Sequence, residues 1–139
     1  MAQKYYLDTS IWLDYYENRS DNLRPLGEWA FRLLKTIIET DDIVCYSKTT
    51  LKEFNNCGYD EKTLKEILSI VKPQNLIKIK ISAEQFEEGK KISKERNLPL
   101  GDVLNAILSR DNELVLVARD RHFEELTDIA MAYKPEELI

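Results

Sequence analysis

Four acids spread along the chain, Asp8, Glu53, Asp102 and Asp120, stand where α/β proteins do chemistry. Asp8 follows the aromatic and aliphatic run Tyr5–Leu7, and Asp120 follows the apolar stretch Leu114–Val117. Each is therefore placed where a buried strand gives way to a helix, and in open parallel sheets that carboxyl edge is where ligands bind. Asp102 is expected to begin a helix after a Pro99–Gly101 turn, and Glu53 to lie about a turn and a half into the helix after the second strand. Both can reach the same edge. Carboxylates about 4 Å apart repel by roughly 4 kcal/mol at an effective dielectric of about 20, so a protein that gathers four must neutralise them. Divalent cations do this, and an oxygen-only set without His or Cys suits Mg²⁺ or Mn²⁺ better than Zn²⁺. The chemistry open to such a site is phosphodiester hydrolysis, in which metal polarises the phosphate and activates water. Taken singly, each aspartate is better explained as a helix N-cap worth about 1 kcal/mol, and Glu53 as an exposed helix carboxylate in a chain with 25 acids.

The elements that must position these acids show in the hydrophobic pattern. Thr9 and Ser10 lead into a helix carrying Ile11, Trp12, Tyr15 and Tyr16, and the polar run Asn18–Asn22 is a loop. After Pro25, apolar residues from Leu26 to Ile38 recur at steps of three and four, the clearest amphipathic helix in the chain. Ile43, Val44 and Cys45 read as a second strand, with Ser47 as N-cap of a helix that turns Leu51 and Phe54 inward. Leu64, Ile67, Leu68 and Val71 mark another helix, and Ile77, Ile79 and Ile81 alternate with Lys78 and Lys80 as a strand. A weak helical pattern spans Ala83 to Arg96, Val103 to Leu108 form a further helix, and a short helix surrounds Phe123. Ile129–Met131 reads as a last strand. Strands separated by helices imply parallel pairing, hence an α/β sandwich with helices on both sheet faces.

The chain has 139 residues, which suits a single domain over residues 1–139. Its 43% hydrophobic and 32% charged residues exclude a disordered or collagen-like class. With 20 basic against 25 acidic residues the net charge is −5, which disfavours a sequence-independent basic DNA coater and predicts a shallow salt dependence for any nucleic-acid contact. Cys45 and Cys57 have neither CxxC spacing nor a disulfide-dense pattern and read as reduced thiols. Without a leader-like apolar start or a long apolar run, the expected location is the cytoplasm, with no membrane partner.

Tyr5-Tyr6-Leu7-Asp8-Thr9-Ser10, Thr49-Thr50-Leu51-Lys52-Glu53-Phe54, Leu100-Gly101-Asp102-Val103-Leu104-Asn105-Ala106 and Leu116-Val117-Ala118-Arg119-Asp120-Arg121-His122-Phe123 resemble, in order and spacing, the four motifs of PIN domains. No one of them is specific; the ordered set is much stronger. The resemblance implies a PIN-like three-layer α/β/α sandwich with a central, mostly parallel sheet of about five short strands. It also implies a Mg²⁺- or Mn²⁺-dependent endoribonuclease acting on RNA, often the VapC-like toxin of a type II VapBC toxin–antitoxin pair. By that likeness Asp8, Glu53, Asp102 and Asp120 are the catalytic quartet, with Asp8, Asp102 and Asp120 holding metal and Ser10 supporting Asp8. An antitoxin and a second protomer are the implied partners. The family commonly has Ser or Thr two positions before the last acid, where this chain has Ala118.

Asn105 can share a helix face with Asp102, where it contacts water or substrate, or is ordinary solvated polarity. Thr9 is expected to help cap the first helix. Arg119, Arg121, Lys48 and Lys52 are candidate phosphate contacts, with solvated surface charge as the competing account. His122, the only histidine, is expected to be structural, with general-base action the alternative. Of the aromatic residues in the first two helices, Trp12, Tyr15, Tyr16, Trp29 and Phe31, most are expected in the core, Trp29 among them, with partner docking the alternative and Trp12 left open between the two. Competing functions are a catalytically weak module binding RNA or protein, an RNA-processing nuclease that is not a toxin, and an aspartyl phosphatase using Asp8. The last lacks the usual second Asp, since Ser10 stands two residues on.

Overall fold

The computed structural model describes residues 2–139. Its centre is one five-stranded parallel sheet of β1 (Lys4–Leu7), β2 (Ile43–Tyr46), β3 (Leu76–Lys78), β4 (Val115–Val117) and β5 (Ala132–Tyr133), in the order β3-β2-β1-β4-β5. The helices are α1 (Thr9–Glu17), α2 (Leu26–Glu39), α3 (Lys48–Asn56), α4 (Glu61–Leu68), α5 (Ala83–Arg96) and α6 (Leu100–Asp111), with short 3₁₀ turns at Pro73–Asn75, Arg121–Leu126 and Pro135–Glu137. From β1 the chain builds outward through β2 and β3, then returns to lay β4 on the other side of β1. The strand order therefore reverses between β1 and β4, and a crevice forms at their carboxyl ends.

Strand period explains the layers. Tyr6 and Leu7 are both fully buried yet belong to different clusters, because successive side chains point to opposite faces of a sheet. Leu7 joins Ile11, Trp12, Leu33, Leu34, Ile37 and Phe54 beneath α1 and α2, whereas Tyr6 joins Cys45, Val103, Ile107 and Leu116 beneath α6. In α2, Leu26, Ala30, Leu33, Leu34 and Ile37 form the buried stripe, each large one contributing roughly 1.5–3 kcal/mol of burial. Gly27 lets α2 approach the end of α1. A Cβ there would come within 2.5 Å of the Asn18 Cα, so any larger residue would push the two helices apart.

Several boundaries differ from the periodic reading. Gly101 lies inside the first turn of α6 rather than in a turn before it, and Asp102 is the third residue of that helix. Pairing of β3 ends at Lys78. Ile77 on this edge strand is 41% exposed, while Ile79 and Ile81 pack against the second cluster after the strand has ended. The last strand falls at Ala132–Tyr133, past the predicted Ile129–Met131. Trp12 is the core tryptophan; Trp29 is only half-buried and lies under the Arg119 guanidinium, 5.7 Å from its ring centre. Tyr16 and Phe31 are exposed. Both cysteines are free thiols, and among the described residues no helix is long and apolar enough to cross a membrane.

Candidate metal centre at the sheet edge

Asp8 leaves β1 as the N-cap of α1, and Asp120 caps the 3₁₀ turn after β4. Capping and site-building are thus the same act, since a side chain aimed at a helix start also faces the crevice. Asp102 enters from the first turn of α6, and Glu53 from the middle of α3, which Ser47 starts through a capping box with Thr50. One carboxylate oxygen from each of Asp8, Glu53 and Asp102 lies within 4.8 Å of the others. Asp102 also joins a second group with Asp120 and His122 at the same separation. All four predicted acids therefore meet in one continuous string. Gly101 keeps it narrow: a Cβ there would sit 3.3 Å from Thr49 Cγ2 and 3.5 Å from Glu53 Oε1.

Asp8 is nearly buried and held on both oxygens. The Ser10 hydroxyl donates to Oδ2 at 2.7 Å, and the Asn105 amide donates to Oδ1 at 2.9 Å. An ionised carboxylate only accepts, which turns the Asn105 oxygen the other way, and there it accepts from the Tyr6 hydroxyl at 2.7 Å. Having given its one proton to Asn105, the Tyr6 hydroxyl takes the Ser47 hydroxyl, also at 2.7 Å, as donor. Asn105 is thus neither solvated polarity nor a group facing the crevice. It is 1% exposed and carries the position of Asp8 back to the core.

Burial followed by the charges of Asp8 and Asp102 pushes the Glu53 carboxyl up to about 7. The same burial, with Asp8 adding and the His122 hydrogen bond opposing, brings Asp102 to about 6. Asp8 is raised chiefly by burial, against the lowering effect of its Ser10 and Asn105 hydrogen bonds. No Lys or Arg forms an ion pair with any of the four acids among the described residues. The Asp8, Glu53 and Asp102 group offers hard oxygen alone, crowded and partly desolvated, while the Asp102, Asp120 and His122 group adds one imidazole nitrogen. The all-oxygen group fits Mg²⁺ or Mn²⁺.

Three residues have a larger part than their spacing suggests. His122 Nδ1 lies 2.8 Å from Asp102 Oδ2 and 2.9 Å from Asp120 Oδ1, so it stands inside the cluster rather than apart from it. The His122 backbone N–H donates to the same Asp120 oxygen at 2.8 Å, which holds that carboxylate where Ala118 offers no hydroxyl. Thr9 is not only a helix-start residue, since its hydroxyl donates to Glu53 Oε1 at 3.2 Å. Tyr6 reads in the sequence as one more apolar strand residue. Its hydroxyl shows there no partner, because Ser47 and Asn105 are 41 and 99 residues away.

Arg119, a candidate phosphate contact, is occupied elsewhere. Its guanidinium pairs with both oxygens of Glu136 at 2.8 and 2.7 Å and lies 3.9 Å from Asp14. It ties the loop carrying Asp120 to the carboxyl-terminal turn. Lys48 and Lys52 instead line a cavity of about 670 Å³ that includes Glu53 and Asp102 in its wall.

The family model for the PIN domain matches residues 5–129. Among solved structures, the chain is similar to one in VapBC2 from Rickettsia felis bound to a DNA fragment from their promoter, with 18% identity, 95% of this chain and 98% of that chain covered, and a TM-score of 0.64. PAE2754 from Pyrobaculum aerophilum is 21% identical over 99% of this chain and 93% of its own, with a TM-score of 0.63. FitAcB from Neisseria gonorrhoeae is 18% identical over 96% and 99%, with a TM-score of 0.60. No curated protein matches the sequence.

Proposed function

The chain belongs to the PIN domain family, and from that premise we propose that it is a Mg²⁺- or Mn²⁺-dependent endoribonuclease, the toxin of a type II toxin–antitoxin pair. The observation that carries the reading is the convergence of Asp8, Glu53 and Asp102, at positive electrostatic cost, with no Lys or Arg in an ion pair with them among the described residues. Asp8, Asp102 and Asp120 would hold the metal, which when bound supplies Lewis acidity toward the phosphodiester and makes water more acidic. Ser10 and Asn105 fix the two oxygens of Asp8, so that little reorganisation is needed when charge develops. Glu53 has Oε1 engaged by Thr9, which leaves Oε2 to take a proton from the attacking water. His122 keeps Asp102 and Asp120 at a common distance.

The toxin assignment draws on the likeness to VapBC2 and FitAcB, and on that reading we infer an antitoxin partner, a cytoplasmic site of action and a homodimer. The test is cleavage of single-stranded RNA and DNA of mixed sequence in titrated Mg²⁺ or Mn²⁺, with EDTA and an Asp8→Asn control. RNA products that require metal and vanish in D8N are expected. Products that persist in EDTA, or undiminished cleavage by D8N, overturn the reading. A single-protomer mass by light scattering at micromolar concentration overturns the homodimer.

A further inference from the structure

The cavity beside the acidic string has a construction that metal binding does not require. It opens between α3 on one side and the start of α5 with the first turn of α6 on the other. Its volume of about 670 Å³ lies within the range of about 300–1,000 Å³ typical of small-molecule and cofactor sites. Phe86 lines it and is 41% exposed, on a helix whose one buried residue is Gly89. Ile92 of the same helix packs against the second core cluster, whereas the Phe86 ring belongs to neither cluster. Ile81 and Leu104 extend the apolar lining.

Two lysines stand in the wall of this apolar surface. Lys48 and Lys52 lie one helical turn apart on α3, both exposed, both in the cavity wall and neither in an ion pair among the described residues. The Lys90 ammonium stands 5.1 Å from the centre of the Phe86 ring and pairs with Glu87 at 2.8 Å, so the unpaired cations of the wall are Lys48 and Lys52. Toward the crevice the same wall ends at Glu53 and Asp102. Aromatic ring, two ammonium groups and two of the acids of the metal centre therefore share one cavity wall. A peptide segment has no need of that combination, whereas a nucleotide offers each part its complement: a π-face for the ring, phosphate for the lysines, and the next phosphodiester for the metal centre.

We propose that this cavity is a nucleotide subsite, in which the base beside the scissile phosphate leaves its stack and lies on Phe86 while Lys48 and Lys52 meet its phosphates. The proposal rests on the nuclease reading for which phosphodiester is cut, but base binding is measured without cutting.

The test measures anisotropy of a labelled single-stranded RNA dodecamer with the full chain carrying Asp8→Asn in Mg²⁺, alone and with Phe86→Ala, Phe86→Trp or Lys48→Ala/Lys52→Ala added. F86A is expected to weaken binding roughly 5- to 100-fold. F86W is expected to keep it, with tryptophan emission above that of the parent quenched as RNA is added. The lysine pair is expected to lower the salt slope by about 1 to 2. Equal affinity of D8N with and without F86A overturns the subsite, as does an oligonucleotide of abasic residues binding as tightly as the normal one. If Phe86-dependent binding holds while the unsubstituted chain cleaves nothing, the nuclease reading falls and the subsite stands. Metal-dependent cleavage whose KM is untouched by F86A is the reverse.

Discussion

Replacing Glu53 with Gln should make the metal-free protein more stable above neutral pH and leave it unchanged in mild acid. Glu53 is raised from its ordinary 4.5 to about 7, first by burial and then by Asp8 and Asp102. A raised folded value means that the group's stability contribution is fully present below about 4.5 and is lost as pH rises through about 7. That gap corresponds to a ceiling of about 3 kcal/mol. The side chain is only partly buried, so solvent screening reduces the expected gain for E53Q at pH 8 to about 1–2 kcal/mol. Glutamine keeps an acceptor for the Thr9 hydroxyl, so no hydrogen bond is lost with the charge. Urea unfolding in EDTA at pH 8 and at pH 4 reads the difference directly, and for a chain of 139 residues the substitution should raise the melting temperature at pH 8 by roughly 3–4 °C per kcal/mol. Saturating Mg²⁺ should stabilise the parent and shrink its deficit at pH 8. An E53Q protein no more stable than the parent at pH 8, or more stable by the same amount at both pH values, would refute the claim that crowded charge strains this crevice.

Asp102→Asn should lower metal-dependent cleavage at least a hundredfold with an unchanged far-ultraviolet circular dichroism spectrum; retained activity removes Asp102 from the centre. Tyr6→Phe strips the Asn105 oxygen of its donor in a dry site and should cost about 1–3 kcal/mol in urea unfolding, with a fall in cleavage at unchanged RNA affinity. A stability loss with kcat intact would leave Tyr6 as core alone. Leu34→Ala in the stripe of α2 should cost about 2–5 kcal/mol without altering the metal dependence of cleavage, checked by unfolding and by metal titration.

The parts legible in the sequence are those governed by local periodicity. The stripe of α2, the cap at Ser47 and the strands before Asp8 and Asp120 are each encoded within a few neighbouring residues. Where the structure departs from that reading, a longer-range contact decided it. Gly101 is helical because α6 packs close against Thr49 and Glu53, although Pro99-Leu100-Gly101 by itself signals a turn. The pairing of β3 stops where its chain leaves β2, although the isoleucine alternation continues to Ile81.

Site residues divide the same way. An acid at the end of an apolar run is a local event, so Asp8 and Asp120 can be picked out by position, and their order with Glu53 and Asp102 carries the family resemblance. What those acids face is not local. The chain alone assigns Asn105 no partner and Arg119 no duty; folding buries the first between Tyr6 and Asp8 and commits the second to Glu136. His122 reads as a lone imidazole until β4 is laid beside β1 and the turn after it swings the ring between Asp102 and Asp120. Amphipathic spacing determines which residues enter the core, because burial depends on periods of two and 3.6 that any short window displays. Hydrogen bonds and charge repulsion act over a few ångströms between residues up to 99 positions apart, and only the pairing of β1 with β4 and the packing of α6 on the sheet bring them within that range.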